Sequence, residues 1–372
     1  MKAETSPKPL KHIAGGRVDA KEPVYRERWR WALEMAVFLT RGPLLATGVV
    51  LGLQRMEAYR HWLSWFETLL LWLQTRPGFF KTAAEADALF LTLLAAATHT
   101  GVYLCATGFF LLCDRLKLLQ GHKLPRTGRM LPSARLLAAT LRDAAVGQLA
   151  VQPVASYLLL FALGLAPDRF SPLPGPEAVY LHLAGALLFN EASFYLLHRA
   201  MHEVPLLYRA VHKQHHQYVG TVALAAEHAH PVEQLLCNDL PVVGYCIAAR
   251  VHPLIFCVYL AWRLQETCET HSGYCFQRTL LGRLGLLNGP QAEFHDFHHT
   301  VNSGNYGHHL IDELFRSMDL WLSLTQARIV PHSSQRKLSQ KMAPSQQDSA
   351  PIYLRDPSRQ SHLHLHYSCL QN

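Results

Sequence analysis

Fourteen of the chain's 23 histidines fall between His198 and His309, and most of these stand at spacings that share a helix face. His198-Arg199-Ala200-Met201-His202 places two imidazoles one turn apart. His212-Lys213-Gln214-His215-His216 and His295-Asp296-Phe297-His298-His299 each set three at i, i+3 and i+4. Imidazoles repeated in this way converge on a centre without a long loop to order, and they suit Fe, Zn, Cu or Ni rather than Mg or Ca. A lone HxxxH is commonly a partly exposed pair; three such clusters together point to metal. Eight histidines exceed what one tetrahedral zinc needs, so two ions fit better. Two irons would match oxygen activation and C–H hydroxylation, although affinity order alone favours copper or zinc. Carboxylates often accept the second N–H of a ligating imidazole, and Glu191, Glu227, Glu233 and Asp296 are the candidates. Glu191 is the sharpest, because an acid inside an apolar stretch needs a partner. Asp296 reads equally well as solvated, and His228, His308 and His309 read as solvated loop histidines.

The elements that must position these residues are mostly apolar. The chain has 372 residues, 49% hydrophobic and 17% charged, against roughly 25% charged in a soluble domain. Disorder and coiled coil are excluded, and a membrane class is indicated. Residues 88–112 carry no charge, enough for a helix of about 37 Å against roughly 30 Å of hydrocarbon. Residues 144–166 are a second span containing Pro153, 178–197 a third broken only by Glu191, and 33–53 a fourth candidate interrupted by Glu34, Arg41 and Pro43. Residues 55–73 set Trp62, Trp65, Phe66, Leu69 and Trp72 at helical spacing, as an interfacial amphipathic helix does. The apolar runs 235–249 and 253–262 are each short for a crossing and fit a re-entrant hairpin. The fold class expected is all-α: a polytopic helical membrane protein with a cytosol-facing, histidine-rich, metal-binding cap. Its parts are a flexible basic arm (1–30), a membrane region with a basic loop (31–142), a catalytic domain (143–326) and a disordered tail (327–372).

The net charge of +8 lies largely in the arm and in the 114–142 loop, where seven Lys and Arg stand against Asp114 alone. By the positive-inside tendency both face the cytosol, and the histidine clusters emerge on that same side. No nucleic-acid motif accompanies the charge. The eight cysteines include no CxxC and describe no disulfide framework. The first apolar run is read as a retained anchor rather than a cleaved signal, and the final Cys369-Leu370-Gln371-Asn372 lacks the residues of a prenylation box.

The three clusters, with Ala229-His230-Pro231-Val232-Glu233 and His271-Ser272-Gly273-Tyr274 between them, resemble the fatty acid hydroxylase/sterol desaturase superfamily. Glu266-Thr267 and Gly304-Asn305-Tyr306 look most like its C-4 methylsterol oxidase branch, with the animal fatty acid hydroxylase domain-containing proteins an equally good relative. The resemblance covers roughly residues 140–320. It implies a non-haem di-iron centre that uses dioxygen, the endoplasmic reticulum membrane, and electrons from NAD(P)H through cytochrome b5 or a similar chain. Carried over by residue, it implies His198, His202, His212, His215, His216, His295, His298 and His299 as ligands, with His230 and His271 as further ones. Cys275 stands where many relatives have another histidine, a departure that weakens a generic hydroxylase resemblance more than the methylsterol oxidase one; Arg316-Ser317 stands where Gly-Thr is expected, which leaves the metal set intact but bears on closure over the substrate.

The leading expectation is a monooxygenase acting on the C-4 methyl of a sterol intermediate. A fatty acyl or sphingolipid hydroxylase, and a non-catalytic metal-binding regulator of lipid metabolism, are the alternatives. A transporter fits poorly, because the histidines sit beyond the spans.

Overall fold

The computed structural model describes residues 28–74, 82–126, 130–284 and 286–319. Ala36–Leu322 forms one unit and holds every candidate residue; the other unit is Met1–Met35 with Ser323–Asn372. The expected tail at 327–372, and residues 1–27 of the expected arm, lie outside the described residues.

Helices α1 (Arg28–Arg55), α2 (Ala58–Gln74) and α3 (Ala83–Leu116) come first. A capping box starts α3: Thr82 Oγ1 accepts from the Glu85 N–H at 3.2 Å, and the Thr82 N–H donates to Glu85 Oε2 at 2.9 Å. It stops at Lys117, in the left-handed region at φ 54°. There the Leu118 N–H turns back to the Cys113 carbonyl. Helices α4 (Ala134–Val146) and α5 (Gln152–Ala162) are joined through a π-turn, Gly147–Val151. α6 (Pro176–Glu203) opens on a proline and ends before Pro205, which has no N–H to continue it and opens α7 (Pro205–Ala210) instead.

Two 3₁₀ turns follow, His212–Gln217 and Ala223–Glu227, then the single turn α8 (Pro231–Glu233) and a second π-turn, Gln234–Asp239. The chain closes with α9 (Leu240–Ala248), α10 (Pro253–His271), α11 (Leu280–Arg283), α12 (Gln291–Val301) and α13 (His309–Leu314). Each π-turn is followed by a proline, Pro153 or Pro241, whose missing donor a widened turn accommodates. The two are tied together: Gln152 and Gln234 both donate to Asp239 Oδ1 at 3.0 Å. Among the described residues there is no strand, only an isolated bridge between Lys123 and Tyr274.

Among the described residues three helical stretches are long and apolar enough to cross a membrane: Met35–Arg55, Ala83–Leu116 and Ala134–Ala162. Leu44, Leu104, Leu149 and Leu158 stand exposed on them, the pattern expected where lipid rather than water covers the surface. The expected span at 178–197 is helical but is not one of the three. It is the start of α6, whose buried face carries Asn190, Glu191 and His198. The hairpin forms as α9–α10, but α10 runs past residue 262 to His271 and so includes Arg263 and Glu266.

The main core joins Val50 of α1, Leu91 of α3, Leu183 and Leu187 of α6, and Ile255 and Tyr259 of α10. In a bilayer such contacts stabilise by close packing rather than by releasing water. Tyr259 Oη also donates to the Ala186 carbonyl at 2.9 Å. That pins α6 to α10, so His198 and His271, near their C-terminal ends, arrive at one place.

Candidate metal centre

Nine histidines gather in two groups, each with its candidate ligand atoms within 4.8 Å of one another. Group one is His198, His202, His212, His216 and His298; group two is His215, His271, His295 and His299. Each HxxHH is split between them. His212 and His216, at i and i+4, join group one while His215 joins group two. In α12 the assignment reverses: His295 and His299 join group two and His298 joins group one. In α12 the α-helical turn points His295 and His299 much the same way and His298 some 60° aside, and the 3₁₀ turn facing it divides its three rings between the same two groups. The groups abut, with the His216 and His299 ring centroids 4.8 Å apart.

The outer nitrogens are held mainly by backbone. Nδ1 of His198 donates to the Tyr306 carbonyl at 2.5 Å, and Nδ1 of His298 to that of Gly304 at 2.6 Å. His271 donates to Thr267 at 2.8 Å, His299 to Tyr218 at 2.9 Å and His215 to His228 at 3.2 Å. His212 alone uses a carboxylate, Glu233 Oε1, at 2.7 Å. A committed Nδ1–H leaves Nε2 of these six rings as a bare lone pair, and their Nε2 atoms converge with those of His202, His216 and His295. His212 and His202 Nε2 are 2.7 Å apart, and His295 and His271 Nε2 are 2.9 Å apart. His298 Nε2 is buried with no partner among the described residues. Converging lone pairs repel unless a cation sits between them, so this donor set fits transition metals.

Burial keeps the rings neutral. Desolvation, with neighbouring imidazoles adding to it, holds His198, His202, His215, His216, His295 and His299 well below the usual histidine range. It takes His271 to about 4 and His298 to about 3.

Several expectations are corrected. His230 joins neither group; it caps α8, its Nδ1 accepting from the Val232 N–H at 3.2 Å. Of the four carboxylates only Glu233 bonds a clustered imidazole. Glu191 accepts from Arg263 at 2.8 Å, and Glu227 Oε1 lies 3.3 Å from His99 Nε2. Asp296 is fully buried rather than solvated. It accepts from Arg126 Nη1 at 2.6 Å and from the Thr221 N–H and Oγ1, both at 2.9 Å. His228 is buried between Gln217 and Asp143, and His308 stacks on Phe38 with centroids 4.0 Å apart. Cys275 is buried near the Gly289 carbonyl, outside both groups.

Arg126 and Asp312 matter to the centre, and the residue pattern did not single them out for it. Arg126 crosses from the basic loop to Asp296 and to the Thr221 carbonyl, passing Gly273. Gly273 has φ +73°, and any Cβ there would strike the guanidinium. Asp312, buried on α13, accepts from the Tyr306 and Gly307 N–H groups at 2.7 and 2.6 Å. Ser317 Oγ donates to the same carboxylate at 2.7 Å and meets Tyr195 Oη at 3.0 Å. Gly304, at φ +72°, lets the Ser317 carbonyl approach where a Cβ would stand. The altered Arg316-Ser317 segment therefore still forms a clasp, and the carbonyls that orient His198 and His298 sit on it.

Beside the groups lies a chamber of about 160 Å³. His198, His215, His271 and His295 line it, with Phe194, Leu260, Leu264 and Phe294, and with Asn190, Glu191 and Arg263.

Helices suited to a bilayer and paired imidazole groups define a membrane protein built around a metal-binding histidine centre. The sequence profile of the family described as fatty acid hydroxylase matches residues 183–317, which contain all nine clustered histidines. A Dictyostelium discoideum protein provisionally named a methylsterol monooxygenase is 30% identical over 224 residues, 59% of this chain and 80% of its own length. The chain belongs to the fatty acid hydroxylase family. Methylsterol monooxygenase 2-2 of Arabidopsis thaliana is 34% identical over 41% of this chain and 56% of its own. A very-long-chain aldehyde decarbonylase of Oryza sativa is 38% identical over 36% and 50%. The chain thus spans about half the length of these last two relatives. No solved structure matches it.

Proposed function

We propose that this protein is a membrane di-iron monooxygenase that hydroxylates the C-4 methyl group of a sterol intermediate. The division of nine imidazoles into two adjoining groups beside a chamber carries this reading. The five histidines of group one would hold one iron and the four of group two the other. When bound, the irons supply dioxygen activation and the electron chemistry of C–H oxidation. The chain's own residues do the rest. Carbonyls of Tyr306, Gly304, Tyr218, Thr267 and His228 fix the rings, with Glu233 on His212. Phe194, Leu260, Leu264 and Phe294 keep water from the reacting carbon.

Electrons come from NAD(P)H through cytochrome b5 or a similar donor. The protein sits in the endoplasmic reticulum membrane with the centre facing the cytosol, the side on which the basic 114–142 loop belongs. The names of the Dictyostelium and Arabidopsis relatives support the sterol. A fatty acyl substrate is the second reading, supported by the family's description and by the rice relative.

His215→Ala and His298→Ala, one from each group, test the proposal in the purified protein. Each is expected to lower bound iron and abolish oxidation of 4-methylsterols. Full activity in either variant sinks the assignment.

A further inference from the structure

A second cavity, of about 760 Å³, lies against another face of α10 and shares no lining residue with the metal chamber. Ala261 and Gln265, one turn apart, line it, whereas Arg263, Thr267 and His271 of the same helix line the chamber. α3 supplies a second wall through Gly101, Cys105, Ala106 and Phe109. Small side chains leave the space open, and a Cβ on Gly101 would meet no atom within 4 Å. The volume falls in the range of pockets that take a lipid-sized ligand. No acidic residue lines it, and Gln265, one of its few polar groups, already donates to Glu269 at 2.9 Å. Such a wall suits hydrocarbon.

Position says which hydrocarbon. α3 is one of the three helices able to span a bilayer, and Gly101 to Phe110 covers ~14 Å of it. That is about the depth of one leaflet in a core of roughly 30 Å. Leu104 and Leu112 of α3 and Leu280 and Leu281 of α11 stand exposed beside or within the cavity, as they would if it opened to lipid.

Charge completes the description. At the Leu116 end of α3, Lys117 stands two residues before the lining Leu119, and Arg278 adjoins the lining Thr279; both are exposed. The nearby acid, Asp114, is bonded to Lys123 and to the Tyr274 hydroxyl. Basic groups flanking a span at the membrane surface favour anionic headgroups.

We propose that this cavity holds one acyl chain of an anionic phospholipid from the leaflet at the Leu116 end of α3, with its headgroup toward Lys117 and Arg278. The occupant is a lipid of the bilayer and not the compound oxidised, so the site goes beyond the sterol reading and does not depend on it.

The test counts lipid rather than turnover. Full-length, metal-loaded protein is taken from nanodiscs of equal phosphatidylglycerol and phosphatidylcholine into mild detergent, and retained lipid is measured by native mass spectrometry. The wild type is expected to keep one phospholipid per chain, with phosphatidylglycerol preferred about 10-fold. Gly101→Leu and Ala106→Phe fill the cavity, and each should lower occupancy by about 10-fold or more, because chain methylenes lose their burial. Lys117→Gln with Arg278→Gln should bring the headgroup preference near one while the lipid is still retained. Thermal stability and metal content report folding. Gly101→Leu carries the test if Ala106→Phe does not fold, since it enters open space and replaces a poor helix former. No retained lipid in the wild type, undiminished retention in the filled variants, or no preference for phosphatidylglycerol overturns the site. Displacement of the phospholipid by a 4-methylsterol, with the same Gly101 dependence, also overturns it, because the cavity would then belong to the substrate.

Discussion

Asp312 binds no imidazole, yet two rings of group one depend on what it holds. Its carboxylate takes the Tyr306 and Gly307 N–H groups and the Ser317 hydroxyl, and the carbonyls of Tyr306 and Gly304 aim His198 and His298. Asp312→Ala leaves buried donors unmet, each costing about 1–3 kcal/mol. The expected damage is local: if each group holds one iron as proposed, iron bound per protein should fall from near two toward one, because no ring of group two is held by this clasp. Metal analysis of the purified variant checks it, and equal loss from both groups would show that Asp312 supports the fold generally. Residue types alone exposed the histidines, but their carbonyl partners carry no side-chain signature, so this dependence was invisible in the sequence.

At the scale of elements, the centre is a junction of α6, the His212–Gln217 turn, α10 and α12, locked by a strut from outside the family match. Arg126 extends from the basic loop to Asp296, on the side of α12 away from the metal groups. Arg126→Met strands a buried carboxylate, a change of about 3–5 kcal/mol. Asp296→Asn in that background should restore part of the loss, because the two residues form one pair. Chemical denaturation of the single and double variants measures it, and strict additivity would mean that the strut does not act through Asp296. In the sequence Arg126 is one positive charge among seven in a loop, read there as a topology signal. Its partner lies 170 positions away, and no local pattern reports a contact of that range.

For the whole molecule, the neutral histidine centre ties stability to pH. In the folded, metal-free protein burial holds His271 near 4 and His298 near 3, whereas an unfolded chain titrates histidine near 6.5. As pH falls below 6.5 the unfolded state takes up protons first, so the unfolded side gains. This stability is fully present above 6.5 and is lost between 6.5 and about 4 for His271, and on to about 3 for His298. His271 alone accounts for about 3 kcal/mol. Denaturation midpoints of the metal-free protein should be flat from pH 8 to 7 and fall steeply below 6.5. Bound metal should shift that fall to lower pH. A flat profile down to pH 4.5 would show that the rings are hydrated in the metal-free state.

The sequence by itself determined the helical membrane class, the three histidine clusters and the expectation of two metals. Those signals are local: uncharged runs of span length and imidazoles at i, i+3 and i+4. Only the tertiary structure decided how the clusters divide. Whether His215 sides with His212 or with His271 depends on how the His212–Gln217 turn faces α12 and α10. It also decided that Glu191 serves Arg263 rather than an imidazole, that His230 caps a turn, and that Asp296 and His228 are buried. Spacing states which side chains share a face; what that face meets is settled by packing between segments far apart in the chain.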